Sequence, residues 1–189
     1  MRTLRGPSSL RLPNGIAGIQ VQIIRESPMP YGDRSALPLE FPLVDDPGKM
    51  AEVFRSVVGG MPDWSWEREG FLVFHITTRR RVMAWTLVAT GTLDSVVIHA
   101  RDIFREAIVA NSSSIVLAHN HPSGDPTPSE SDVRVTRDLI RAGQLLRIDV
   151  LDHVIVGNPQ MAAPNGRGWA SLRELGYFYA VSQRGGLDV

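Results

Sequence analysis

The hydrophobic positions change period several times along the chain, and each change marks an element. After the turn signal Pro13-Asn14-Gly15, residues Ile19, Val21 and Ile23 alternate with glutamine, the period of a half-buried strand. Prolines scattered from Pro28 to Pro42 then predict extended chain, so residues 1–45 read as an arm with one strand and no core of its own. From Asp45 the pattern becomes regular. Met50, Val53, Phe54, Val57 and Val58 follow helical spacing, with Gly59-Gly60 as the stop. Two apolar runs, Phe71 to Thr78 and Arg81 to Thr90, flank the polar pair Arg79-Arg80 and predict a strand hairpin. Ile103, Phe104, Ala107 and Ile108 share one face of a second helix. Ser114 to His121 is a short apolar run closed by Pro122-Ser123-Gly124, the pattern of a buried strand that ends in a loop. A third helix is expected from Ser129 to about Ala142, and a further strand from Ile148 to Gly157. This order predicts an α/β domain over residues 46–189, a mixed sheet covered by helices.

Composition narrows the class. With 43% hydrophobic and 21% charged residues the chain is that of a globular protein, and no apolar run follows the start MRTLRGPSS. No leader or spanning helix is therefore expected, membrane association is not expected, and the cytoplasm is the expected compartment. Twenty Lys+Arg against twenty Asp+Glu leave zero net charge, which argues against nucleic acid as a dedicated partner. Lys49 is the only lysine, a bias that genomic base composition accounts for as well as function does. There is no cysteine. That excludes disulfides, zinc fingers, cysteine nucleophiles and the zinc nucleoside deaminases, so any zinc site has to use histidine and carboxylate.

One stretch concentrates the chemistry, Ala118 to Asp132. On an extended strand alternate side chains share a face, so His119 and His121 point one way and Asn120 the other. Pro122 ends the strand, and the loop returns the chain so that a helix starts near the same spot, with Asp132 in its first turn. Two imidazoles and a carboxylate make a three-ligand site with a fourth position open, the arrangement of a catalytic zinc. Ser129-x-x-Asp132 also fits a helix cap, and both roles can hold at once.

The pattern H-x-H-x7-S-x-x-D resembles the JAMM signature of the JAB/MPN metallohydrolases. The segments GTLDSVVIHARDIFREAI, IVLAHNHPSGDPTPSESD, VTRDLIRAGQLLRIDVLDHVIVG and SLREL are closer still to the RadC branch, in the same order, over roughly residues 46–176. The resemblance implies a cytidine-deaminase-like JAB/MPN fold in which helices sandwich a mixed sheet. Active members of the family are zinc peptidases or isopeptidases, including enzymes that remove ubiquitin-like modifiers. Residue by residue, it implies that His119, His121 and Asp132 bind Zn2+, with Ser129 beside the bound water. Glu69 is the implied general base, with Glu67 as competitor. The implied substrate is a protein or peptide conjugate, a ubiquitin-like modifier among the candidate carriers.

The chain departs from RadC proteins in its arm, in one stretch of wording and in the segment NPQMAAPNGRGWASLREL, which is lengthened before Ser171. Its arm is too short and proline-rich for their helix-hairpin-helix module, so a stand-alone JAB domain is expected. The family's His-Pro-Arg-Glu wording appears as His99-Ala100-Arg101-Asp102. Two alternatives stand beside hydrolysis: a DNA-repair-associated accessory module and a catalytically inactive scaffold. His75 and His153 read as structural residues with hydrogen-bond partners, His99 as a helix-cap residue, and Trp64 and Trp66 as packing residues.

Overall fold

The computed structural model describes residues 43–91, 98–161, 164 and 166–178, and the arm with its strand at Ile19 to Ile23 lies outside them. The first helix, α1, spans Pro47–Gly59. It starts there because the Asp46 side chain accepts the backbone N–H of Gly48 (2.6 Å) and Lys49 (3.2 Å), and because proline suits the first helical position. Its buried face is Met50, Ala51, Phe54 and Val58. Strands β1 (Gly70–Ile76) and β2 (Val82–Thr90) form the expected antiparallel hairpin, turned at Arg80 with φ 56°. Then follow α2 (Ala100–Val109), β3 (Ser114–His121), α3 (Glu130–Leu146), β4 (Asp149–Gly157) and a short β5 (Trp169–Ser171).

The five strands lie in the order β2-β1-β3-β4-β5. Only β3 and β4 run parallel, joined through α3; the other pairs are antiparallel, so the sheet is mixed as expected. The fold is α/β. One face is covered by α1, whose Met50, Phe54 and Val58 pack with Leu72, Phe74, Val116 and Val154. The opposite face is covered by α2 and α3, which bring Ile103, Phe104 and Leu139 against Phe71, Val73, Ile115 and Leu117. Each such buried side chain contributes roughly 1.5–3 kcal/mol, and β3, apolar on both faces, is the middle of both cores. Trp64 and Trp66 meet Phe54 edge-on under α1, so they pack as expected.

Three details differ from the sequence reading. Helix α3 runs past Ala142 to Leu146, because Gly143 sits where a Cβ would lie 2.4 Å from the carbonyl oxygen of Ile148; the glycine marks close packing, and Arg147 with φ 58° makes the stop. Ile108 is exposed. It lies a turn beyond Phe104 on the rim of the apolar stripe, next to the end of α2. The third is β5, whose pairing with β4 the pattern of the sequence does not announce.

Candidate metal centre

β3 delivers its last three side chains to both faces of the sheet. His119, fully buried, and the less buried His121 point to the α3 side, their Nε2 atoms 3.0 Å apart. The loop then turns through Gly124 at φ 82°, and Asp125 stiffens it by accepting the backbone N–H (2.9 Å) and hydroxyl (2.7 Å) of Thr127. The backbone oxygen of Asp125 accepts a 2.8 Å hydrogen bond from His121 Nδ1. A carbonyl can only accept, so Nδ1 carries a proton, and in the neutral ring Nε2 is a bare donor atom for a metal.

α3 begins with a capping box. Ser129 Oγ accepts the N–H of Asp132 (3.1 Å), while Asp132 Oδ2 accepts the Ser129 N–H (2.8 Å) and its hydroxyl (2.7 Å). The two carboxylate oxygens thus divide their work. Oδ2 closes the cap, and Oδ1, buried, has no hydrogen-bond donor. It lies 3.2 Å from His119 Nε2, and Oδ2 lies 3.4 Å from His121 Nε2. Tetrahedral coordination with bonds of 2.0–2.1 Å sets ligand atoms about 3.3 Å apart. His119 Nε2 lies at about that distance from both His121 Nε2 and Asp132 Oδ1, one ligand atom from each of His119, His121 and Asp132 falls within 4.8 Å of the others, and an orphaned carboxylate oxygen among imidazole nitrogens is what a cation would satisfy. These residues can hold a metal ion.

The electrostatics agree. Burial holds His119 below its usual pKa, that is, in the neutral form that ligates. At His121 burial pulls the same way, yet hydrogen bonds to Asp132 and to the Asp125 carbonyl, with the charges of Asp132 and Glu69, leave it raised. Burial would raise Asp132, but the two imidazoles and the Ser129 hydrogen bonds hold it well below the carboxylate range, fully ionised at neutral pH.

Glu69 precedes β1, where the antiparallel register sets Phe71 opposite His119 and so brings the start of β1 alongside the end of β3. Its charge acts on both histidines. Glu67 is exposed, with its backbone N–H on Ser65 Oγ. What the sequence reading missed is Asn120. Fully buried on the opposite face, it accepts the N–H of Gly70 (2.8 Å) and donates to the Arg68 carbonyl (3.0 Å), clamping the two residues that flank Glu69. The alternation gave its direction, but nothing in the sequence announced a partner fifty residues away.

Two more residues surround the cluster. His153 Nε2 lies 2.8 Å from His119 Nδ1, and Thr136 Oγ1 lies 2.6 Å from His153 Nδ1. His153 therefore has the partners expected of a structural histidine, and one of them is a metal-site residue. Phe71 stacks on the His119 ring at 5.8 Å. His75 is elsewhere, bonded to Ser112 (3.0 Å) and Thr86 (2.9 Å) as a structural residue. His99 occupies the N-cap position of α2, in the cap region as expected, and its side chain makes no cap hydrogen bond.

An α/β sandwich with two histidines at the end of a central strand and a carboxylate on the next helix defines the JAB class of domain. Comparison with known families agrees: residues 44–176 match the RadC-like JAB domain, and the chain belongs to that family. A UPF0758 protein of Desulfitobacterium hafniense is 40% identical over 134 residues, 71% of this chain and 57% of that protein. One from Caldanaerobacter subterraneus is 45% identical over 111 residues, 59% of this chain and 44% of its own length. A third, from Shouchella clausii, is 34% identical over 141 residues, 75% of this chain and 56% of its own length. The chain thus spans about half the length of the curated relatives it matches. Among the described residues no helix is long and apolar enough to cross a membrane.

Proposed function

We propose that the protein is a zinc-dependent metallohydrolase that cleaves peptide or isopeptide bonds in a protein or peptide-conjugate substrate. The observation that carries this is the Asp132 Oδ1 atom, buried without a donor and 3.2 Å from His119 Nε2, in a cluster of two imidazoles and a carboxylate that can converge on one ion. An all-nitrogen-and-oxygen set of three protein ligands suits zinc with an open position. Zinc bound there supplies Lewis acidity, activating water and polarising a carbonyl.

The remaining steps belong to the chain. Glu69, clamped through its neighbours by Asn120, takes the proton from the attacking water on its carboxylate and hands it to the leaving amine nitrogen. Asp132 stays ionised and anchored by Ser129, and so holds its ligand oxygen in place. Ser129 is the donor proposed to steady the developing oxyanion, although its hydroxyl proton goes to Asp132 Oδ2 in this structure and has to swing away to do so.

The test is reconstitution with zinc followed by incubation with a mixture of linear peptides and ε-lysyl isopeptide conjugates, products being read by mass spectrometry. One equivalent of bound zinc and cleavage that drops by about 10²–10⁴-fold in Glu69→Gln, with zinc retained, is the expected result. A protein that takes up no zinc sinks the proposal. Steeply salt-dependent DNA binding without cleavage would favour the DNA-associated alternative.

A further inference from the structure

We infer that His153 and Thr136 are positioning residues that fix which nitrogen of His119 carries its proton, and thereby present Nε2 bare to the metal. The inference rests on the reading that the cluster holds a metal, and it follows from the direction of the hydrogen bonds. Thr136 Oγ1 lies 2.6 Å from the backbone oxygen of Asp132 and 2.6 Å from His153 Nδ1. A hydroxyl has one proton and a carbonyl oxygen can only accept, so the threonine proton goes to Asp132. Toward His153 the hydroxyl offers only a lone pair, and His153 Nδ1 must be the donor.

The consequence passes along the chain of contacts. In neutral His153 a proton on Nδ1 leaves Nε2 bare, and that atom sits 2.8 Å from His119 Nδ1. His119 Nδ1 must then donate, which leaves its own Nε2 without a proton, facing His121 Nε2 at 3.0 Å and Asp132 Oδ1 at 3.2 Å. The relay fixes the protons as far as His119 Nδ1, and it leaves the lone pairs of His119 Nε2, His121 Nε2 and Asp132 Oδ1 facing one another, a set of acceptors that a cation satisfies. His119 and His153 are 0 % exposed and Thr136 is 1 % exposed, so solvent offers no alternative partner. The relay also ties the ligands together, because Asp132 supplies one of them with its carboxylate and orients another through its backbone oxygen.

Thr136→Val keeps the shape but removes the acceptor. The buried His153 N–H then has no partner, and the ring relieves this by carrying its proton on Nε2 instead. That proton points at His119 Nδ1, which must become the acceptor, and His119 is left with a proton on the ligand atom.

The experiment has two parts. In metal-free wild-type protein labelled with 15N-histidine, side-chain NMR should find His119 protonated at Nδ1, and in Thr136→Val at Nε2. In competition with a chromophoric chelator, Thr136→Val should bind zinc about 10–100-fold more weakly than wild type, and Thr136→Ser should restore the affinity. A His119 protonated at Nε2 in the wild type overturns the inference, as does zinc affinity in Thr136→Val within about twofold of wild type. The NMR measurement needs no variant, no metal and no hydrolysis. A protein that binds zinc with the expected relay yet cleaves nothing would sink the proposed activity and leave this inference standing.

Discussion

Ser129 closes the cap of α3 and is the proposed oxyanion donor, and a single substitution separates the two. Its hydroxyl and backbone both bond Asp132 Oδ2, so Ser129→Ala should lower stability by about 1 kcal/mol through loss of the cap. If the hydroxyl acts mainly on the oxyanion, kcat should fall by about 10²–10³-fold with zinc affinity unchanged. If it acts mainly through Asp132, zinc affinity and kcat should fall together by roughly tenfold. The proposed oxyanion role requires the first outcome, the hydroxyl leaving Asp132 Oδ2 during the reaction, and parallel chelator competition and kinetics on Ser129→Ala decide it. Asn120 makes a different prediction. Asn120→Ala leaves the Gly70 N–H and the Arg68 carbonyl without their partner, a cost of about 1–3 kcal/mol, and lets Glu69 drift. If Glu69 is the proposed base, a misplacement of about 1 Å should lower hydrolysis on the order of 10²-fold, whereas zinc content should stay at the wild-type level, which elemental analysis reads.

At the scale of elements, the loop from β3 to α3 depends on the end of β4. A Cβ on Gly157 would lie 2.2 Å from the carbonyl oxygen of Gly124, in the turn just ahead of the Asp125 oxygen that orients His121. Gly157→Ala must therefore push this loop, and we expect a loss of 1–3 kcal/mol or somewhat more, with weakened zinc binding, measured by denaturant unfolding and chelator competition. How far the sequence reveals these elements follows from the range of the interactions. α1, the hairpin and β3 are legible because period and cap lie within a dozen residues. The His119-His121-Asp132 set is legible for the same reason: two positions on a strand face and one in the next helical turn. β5 is too short to display a period, and Gly143 looks like a helix stop until Ile148 and Phe104 are seen packed against it. Asn120, Thr136 and His153 act across 50, 17 and 34 residues, and no local spacing encodes such partners.

For the whole molecule, acid stability is set in part by two buried groups of opposite sign. Burial pulls His75 down to about 4 from 6.5, so the unfolded chain binds the extra proton between those values, and stability drains away as pH falls from 6.5 to 4. Burial pushes Asp152 up to about 6 from 3.8, outweighing its hydrogen bonds from Ser171, Arg173 and His153. Here the folded state binds the extra proton, so the contribution is fully present below 3.8 and is lost as pH rises to 6. Each is worth about 3 kcal/mol at 1.36 kcal/mol per unit, and between pH 4 and 6 they nearly cancel. Asp152→Asn should therefore expose the histidine slope, with unfolding free energy falling faster on acidification than in wild type; urea titrations at pH 4, 5 and 6 that give parallel curves for both proteins would refute this. A last consequence concerns the middle strand. Because Ser114 to Ala118 is buried on both sides, oil faces oil whichever way the strand is phased, and the two cores alone would accept a slide of one residue. Such a slide would turn both histidines under α1 and leave an amide facing Asp132. Asn120, bonded to the neighbouring strand through Gly70, is the tooth that makes one phase distinct from the other, so the same side chain that clamps the residues beside Glu69 also tells the folding chain which way His119 and His121 must face.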